Sequence, residues 1–306
     1  MKKILTSPSS FGQIDPEPFN LLNSKGYEII NNPFGRKLSK DEVIDLAKDC
    51  IGIVAGVELL SKEVIDYLPN LKCISRVGVG MDSVDLDYAK SKNISVLNTP
   101  DGPTRSVAEF TLAMALALVR KIPMANSNMK NNIWKKETGN LIFNKTLGII
   151  GLGRIGKTVS QLFKAIGLNV IAYDLHPDLE WAESNNVKLL KMSEVISNCD
   201  ILTLHVPGGS NEPLLTKKDF LKMKKDSFLI NISRGGVVNE KDLLDALKNN
   251  LISGAALDVY SEEPYNGDLI KLDNVILTPH IGSYAKEGKL KMEIEAVKNL
   301  IDNLEN

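Results

Sequence analysis

The chain has 306 residues, a length that suits two domains, each able to bury its own core. Lys and Arg number 37 against 38 Asp and Glu, with 43% hydrophobic and 25% charged residues, which describes a globular protein and gives no electrostatic support for a nucleic-acid or membrane-surface partner. Cys50, Cys73 and Cys199 lack CxxC spacing and sit in apolar surroundings, so reduced core thiols in a cytoplasmic protein are expected rather than disulfides or a zinc site; Met1–Thr6 is too short an apolar run for a signal peptide, and no run approaches the roughly 18 residues of a membrane span.

In chain order, apolar runs predict strands at 3–6, 27–31, 50–55, 72–76 and 94–97, with helices between them around 16–25, 39–48, 61–67 and 84–91. This βα repetition implies a parallel sheet covered on both faces. No Gly-x-Gly-x-x-Gly follows the first strand, so the first half is not expected to hold a dinucleotide. Asn98–Pro103 carries two prolines and a glycine and reads as a loop or hinge. Ser106–Arg120 follows, with Val107, Phe110, Met114, Leu118 and Val119 at helical spacing and little charge beyond Glu109. Such a helix is buried on most sides, as a core linker and as part of a homodimer interface expected through 104–132.

From Lys145 the rhythm resumes, with strands predicted at 146–150, 169–173, 200–205, 227–231, 254–258 and 274–278, the six of a complete dinucleotide-binding sheet. A last helix at about 285–304 carries Leu290, Ile294, Val297, Leu300 and Ile301 at helical spacing and is expected to pack back on the first domain. The predicted division is therefore 1–98 plus 285–306 for a substrate domain and 99–284 for a cofactor domain, with hinges near 98–103 and 282–286.

Gly151-Leu152-Gly153-Arg154-Ile155-Gly156 lies between an apolar strand and a helical segment, and the next strand ends in Asp174. Gly151 permits a tight turn, Gly153 lets a pyrophosphate approach the backbone, and Gly156 lets helix and strand pack closely. The N–H groups at the helix start would hold the phosphates. Asp174 would bind the adenosine ribose hydroxyls and repel a 2′-phosphate, which points to NAD rather than NADP.

Of three histidines, His176, His205 and His280, the last follows the final strand between Pro279 and Gly282. Arg234 directly follows the strand at 227–231, and its planar fork suits a carboxylate. Glu262 and Glu263 follow the strand at 254–258, and either carboxylate would orient a neighbouring imidazole. Arginine, carboxylate and histidine on successive strand ends beside a nicotinamide define a reaction. The arginine holds a 2-oxo acid, hydride reaches C2, and the histidine protonates the developing alkoxide. No metal is required.

Together with Arg76–Asp82, Asn98–Gly102, His205-Val206-Pro207, Asn231–Gly236, Asp258–Pro264 and Thr278–Gly282, these motifs make the chain resemble the D-isomer-specific 2-hydroxyacid dehydrogenases over essentially its whole length. The resemblance implies two doubly wound α/β domains with parallel sheets, a flavodoxin-like substrate domain and a Rossmann NAD-binding domain, with a cleft between them. It places the catalytic roles on Arg234, Glu263 and His280, selecting Glu263 over Glu262. It implies a substrate site of Arg76, Gly78, Val79, Gly80, Arg234 and His280, with the Val79 and Gly80 N–H groups on the substrate carboxylate. It implies a cofactor site of Val79, Gly151, Gly153, Arg154, Ile155, Gly156, Asp174, His205, Val206, Pro207, Ile232, Ser233, Asp258 and Gly282, with His176 on the surface near the ribose.

Within the family, the Arg76 motif and Pro100–Glu109 look most like members acting on D-3-phosphoglycerate, which would place the chain in serine biosynthesis. Such members place an arginine just after the third strand, where this chain has Ala55-Gly56-Val57-Glu58-Leu59-Leu60, with no base and one acid. Arg76 and Arg105 are the remaining candidates for a phosphate partner. With its end at Asn306, a short form without the family's serine-binding regulatory domain is expected. Glyoxylate, hydroxypyruvate or another small 2-oxo acid is the alternative substrate. An NAD-sensing interaction protein on the same fold is the alternative of a different class.

Overall fold

Two parallel sheets account for the strands of the computed structural model, which describes residues 2–208 and 212–305. The first holds β1 (Lys3–Thr6), β2 (Glu28–Asn31), β3 (Cys50–Ala55), β4 (Cys73–Arg76) and β5 (Ser95–Leu97) in the order β2-β1-β3-β4-β5. Every neighbouring pair is parallel, so all five carboxyl ends share one rim. Helices α1 (Glu17–Ser24), α2 (Lys40–Ala47), α3 (Lys62–Ile65) and α4 (Leu86–Ser91) alternate with the strands. Their starts follow local chemistry: Ser39 and Glu42 form a capping box at α2, and the Asp85 side chain accepts the Tyr88 N–H at α4.

The second sheet is preceded by α5 (Gly102–Val119) and α6 (Ile122–Lys130). It contains β6 (Thr146–Ile150), β7 (Asn169–Tyr173), β8 (Lys188–Leu189), β9 (Ile201–Leu204), β10 (Phe228–Asn231), β11 (Gly254–Leu257) and β12 (Val275–Leu277). Their order is β12-β11-β10-β9-β6-β7-β8, again all parallel. The connecting helices are α7 (Arg154–Ala165), α8 (Leu179–Ser184), α9 (Met192–Asn198), α10 (Lys217–Phe220) and α11 (Glu240–Lys248). The sheet has seven strands where six were expected. The added one, β8, is a two-residue edge strand, too short to leave an apolar run. Helix α6 was not anticipated either: it buries no residue and so shows no apolar stripe.

The final helix, α12 (Lys286–Glu305), packs against β3, β4 and β5 of the first sheet and against α1. Ala296, Val297 and Leu300 join Ile4, Val54 and Cys73 in one core layer, while α2–α4 cover a second layer built on Leu5, Ile53 and Ile74. The chain thus divides into Met1–Pro103 with Tyr284–Asn306, and Thr104–Ser283. Asn98–Pro103 belongs to the first unit: Asn299 Nδ2 donates to the Asn98 carbonyl at 3.0 Å, and a Cβ on Gly102 would lie 2.3 Å from Met292 Cγ. In the second unit, one layer joins α5, α7 and α8 to the sheet and the other joins α9–α11. Among the described residues, no helix is long and apolar enough to cross a membrane.

Candidate active site

In the second unit the strand order reverses between β6 and β9, the place where open parallel sheets bind ligands. Gly151 ends β6 with φ +94° and donates its N–H to the Tyr173 carbonyl at 2.9 Å. A Cβ there would lie 2.4 Å from the His205 carbonyl oxygen, and one on Gly156 would lie 2.1 Å from the Gly151 oxygen. These two glycines are therefore consumed by packing. Gly153 is different: an added Cβ would meet nothing within 4 Å. It caps the 12-residue helix α7 without a side-chain acceptor, so the first-turn N–H groups and the positive dipole end face open space. Arg154 is exposed there and Ile155 half-buried. Asp174, at the end of β7, accepts from Leu152 N at 2.6 Å and from His176 N at 2.8 Å. Each oxygen keeps a lone pair for a hydroxyl. The turn, the uncapped helix and the fixed carboxylate fit a dinucleotide.

Three further strand ends follow across the sheet. After β10, Asn231 builds the turn that carries Arg234: its Oδ1 accepts from Ser233 N and Oγ at 3.1 and 2.7 Å, and its Nδ2 donates to the Arg234 carbonyl at 3.1 Å. Arg234 is half-buried, with Nη1 donating to the Ser233 carbonyl. A Cβ on Gly235 would lie 1.7 Å from the Tyr260 carbonyl oxygen, so this turn sits directly on the loop after β11. In that loop Tyr260 N donates to Glu263 Oε1 at 3.1 Å, and Ser261 N donates to Glu240 Oε1 at 2.6 Å. The Tyr260 hydroxyl lies 2.9 Å from the Thr278 carbonyl, linking this loop to the one after β12.

The second oxygen of Glu263 lies 2.9 Å from His280 Nδ1. A carboxylate only accepts, so Nδ1 carries the hydrogen and Nε2 is the nitrogen left for chemistry. The His280 side chain is 48% exposed, so Nε2 is within reach of a ligand. Its backbone is left-handed, φ +54°, which costs a residue with a Cβ about 1–3 kcal/mol. Asp258 holds that conformation. Its buried carboxylate accepts from Thr278 Oγ1 at 2.6 Å, Ile281 N at 2.9 Å and Gly282 N at 2.7 Å, bracketing His280 on both sides. Hydrogen bonds to a charged group contribute about 1.5–3 kcal/mol each, enough to offset the strain.

Residues expected to line a cofactor divide in two. Gly153, Arg154, Ile155, Asp174, Val206 and Pro207 reach the surface, whereas Ile232, Ser233, Asp258 and Gly282 are buried and build the loops. A Cβ on Gly282 would lie 2.7 Å from Ile232 Cγ2. His205 lies in dense surroundings with Nε2 3.0 Å from Thr203 Oγ1, and burial pushes its imidazole down to about 3, so it is neutral near pH 7. His176 is exposed beside Asp174. Among the described residues, His280 is the one histidine whose imidazole is bonded to a carboxylate. Asn231 and Tyr260 belong to motifs without an assigned role of their own; a polar residue ending an apolar strand ahead of Ser233-Arg234 was the available signal.

In the first unit, Arg76 is buried at the end of β4, donating from Nε to the Gly80 carbonyl and from Nη1 to Ser83 Oγ, both at 3.0 Å. Gly78, with φ +141°, exchanges hydrogen bonds with Thr99, and Asn98 Nδ2 donates to the Val79 carbonyl at 2.8 Å. The carbonyls of Gly78, Val79 and Gly80 are thus all held by the protein. Among the described residues no protein acceptor takes the Val79 or Gly80 N–H. Arg105 pairs along α5 with Glu109 at 2.6 Å.

The family model for "D-isomer specific 2-hydroxyacid dehydrogenase, NAD binding domain" matches residues 112–282. The D-3-phosphoglycerate dehydrogenase of Pongo abelii is 38% identical over 307 aligned residues, covering 99% of this chain and 56% of that protein. The TT0316 protein of Thermus thermophilus superimposes with a TM-score of 0.90 at 30% identity, covering 99% of this chain and 97% of that one. The D-lactate dehydrogenase of Lactobacillus jensenii, solved with NAD+, gives 0.79 at 30% identity, covering 98% and 96%. The chain spans about half the length of the curated relatives it matches. With a seven-stranded sheet whose glycine turn suits a dinucleotide, and with the family's NAD-binding domain matched across that sheet, the chain belongs to the D-isomer-specific 2-hydroxyacid dehydrogenase family.

Proposed function

We propose that this protein is an NAD-dependent D-2-hydroxyacid dehydrogenase interconverting a small 2-hydroxy acid and its 2-oxo acid. The observation that carries the reading is the Glu263–His280 pair at 2.9 Å, held on the same rim as the uncapped glycine turn. Gly151–Gly156 and Asp174 would hold the dinucleotide, with Val206 and Pro207 beside it. When bound, the nicotinamide supplies or accepts the hydride at C2. Arg234 binds the 2-oxo acid and draws electron density toward the carbonyl oxygen. His280 Nε2 gives its proton to that oxygen as charge develops and takes it back in the oxidative direction. Glu263 keeps Nδ1–H pointed at itself and stabilises the imidazolium. Asp258 and Asn231 position the loops bearing these groups.

The first unit is the substrate domain in this reading, its Val79 and Gly80 N–H groups receiving the substrate carboxylate while Arg76 braces their loop. The relatives named D-3-phosphoglycerate dehydrogenase support a three-carbon acid; glyoxylate and hydroxypyruvate belong to the same chemical series. A homodimer is supported by exposed apolar side chains between α5 and β6: Ile122, Met129, Ile133, Trp134, Leu141 and Phe143 are 48–80% exposed. Burial raises the thiols of Cys50, Cys73 and Cys199 to about 11, 12 and 12, which suits unreactive core cysteines of a cytoplasmic protein.

The test is NADH oxidation against a panel of 2-oxo acids, with the chirality of the product determined. Turnover yielding the D-hydroxy acid is expected. NADH binding with no turnover of any acid would instead favour a nucleotide sensor.

A further inference from the structure

Glu263 and His280 stand on loops after different strands, β11 and β12, so their pairing depends on how those loops are held to each other. Tyr260, buried in the loop after β11, touches both. Its N–H donates to Glu263 Oε1 at 3.1 Å, which fixes the plane of the carboxylate and leaves Oε2 for His280 Nδ1. Its hydroxyl lies 2.9 Å from the Thr278 carbonyl, and that same carbonyl accepts the His280 N–H at 3.1 Å. The bonds close a circuit. It runs from the Tyr260 backbone through Glu263 to the imidazole, then from the His280 backbone through Thr278 to the Tyr260 hydroxyl. The carbonyl of Tyr260 lies where a Cβ on Gly235 would stand, so the residue also abuts the turn that carries Arg234.

Packing does not call for this hydroxyl. A phenyl ring would fill the same space without the cost of burying a polar group, so what the oxygen adds is its hydrogen bonds. Burial pushes the Tyr260 phenol up to about 12, so it keeps its hydrogen through neutral pH and acts as a donor. A second acceptor, the Leu257 carbonyl at the end of β11, lies 3.1 Å away, so one hydrogen bridges the ends of two strands. The ring itself is fixed by stacking on Tyr265, with centroids 4.4 Å apart and planes at 21°, and the Tyr265 oxygen accepts the Leu269 N–H at 3.4 Å. Asp258 acts differently: it braces the backbone on both sides of His280 but makes no bond to Glu263. Tyr260 is the residue bonded to Glu263 and to the carbonyl that holds the His280 N–H.

We propose that Tyr260 is a positioning residue for the proton transfer: its hydroxyl and N–H hold the Glu263 carboxylate and the His280 imidazole in register, so that Nδ1 keeps its hydrogen and Nε2 stays open to the substrate. The proposal rests on the reading of His280 as the proton donor to a 2-oxo acid. Tyr260 touches neither substrate nor cofactor in this role; it acts through the imidazole. Small displacements of a group that must meet the reacting atom cost far more in turnover than in binding, so the loss of one bracing bond is read in kcat rather than in KM.

The experiment uses Tyr260→Phe, which removes one oxygen, and reads both the imidazole and the rate. Nitrogen-15 NMR of the three histidines at about pH 9, where an ordinary imidazole is neutral, gives the tautomer of each, with His280 assigned by its loss in His280→Ala. The wild type is expected to carry the hydrogen on Nδ1 of His280, and Tyr260→Phe to raise the share on Nε2 by about threefold or more. In NADH-dependent reduction of hydroxypyruvate and glyoxylate, Tyr260→Phe should lower kcat about tenfold with KM within about twofold. In the His280→Ala background the same change should cost less than about twofold, because no imidazole is left to position. An unchanged tautomer, a kcat within about twofold of the wild type, or an equal kcat loss in both backgrounds overturns the proposal. If His280→Ala reduces either acid at the wild-type rate, or if neither acid turns over, the reading of His280 as proton donor fails, and the tautomer alone decides whether Tyr260 orients the imidazole. If Tyr260→Phe does not fold, Tyr265→Leu takes its place: it removes the ring stacked on Tyr260 and keeps the hydroxyl, and a His280 tautomer unmoved by it overturns the proposal.

Discussion

The two units share one construction, a parallel sheet with its carboxyl ends on one rim, yet they equip that rim in opposite ways. In the second unit the rim presents side chains: Arg234, Glu263 and His280 stand at the ends of β10, β11 and β12, each with its loop braced by a buried residue. In the first unit the charged residues Arg76 and Glu58 are turned inward, and the loop after β4 offers N–H groups instead. The difference teaches that a strand end can present a side chain when its backbone is braced, and can present its backbone N–H groups when the side chain does the bracing.

Removing a presented side chain should therefore have the largest effect. Arg234→Ala is expected to lower kcat/KM by about 10²–10⁴ with NADH affinity little changed, as for loss of a donor facing developing negative charge; steady-state kinetics with NADH fluorescence titration checks both. Removing a bracing side chain should show mainly in KM. Arg76→Gln breaks two hydrogen bonds under the Gly80–Ser83 loop, and about a tenfold rise in KM with kcat within threefold is expected; a kcat loss as large as that of Arg234→Ala would erase the contrast between the rims.

On the nucleotide side of the second rim, Asp174→Ser should raise the NADPH-to-NADH efficiency ratio about tenfold, because the carboxylate that repels a 2′-phosphate is gone. Equal use of both cofactors by the wild type would contradict that assignment. The smallest effect concerns stability. His205 is held at about 3 in the folded state against 6.5 for a free imidazole, so the unfolded chain takes up a proton that the native one refuses. Stability should fall as pH drops from 6.5 toward 3 and should be unaffected by His205 above that window. Thermal melts of His205→Gln should show a shallower acid limb than the wild type.

Much of this contrast was legible before the structure. Strands buried on both faces leave continuous apolar runs, and the predicted strands lie within a residue of those observed. β8 and α6 escaped because a two-residue edge strand and a helix with no buried face leave no periodic signal. The arginine, the paired glutamates and the histidine were visible as polar residues at strand ends, but spacing alone left Glu262 and Glu263 equivalent; the fold turns Glu263 toward His280. The orientation of Asp258 was not legible. A carboxylate at a strand end can face a ligand or a neighbouring loop, and the choice lies in the Thr278–Gly282 backbone that it binds. The burial of Arg76 and Glu58 was hidden for the same reason, since a charged residue after a strand reads as exposed until its partners are known.

The most direct test of the central claim, that the second rim acts through the Glu263-oriented imidazole of His280, is single-turnover hydride transfer in His280→Ala at saturating NADH. A rate at least about 10²-fold below the wild type is expected, with the NADH dissociation constant unchanged within a factor of about two. A transfer rate close to the wild type would contradict it.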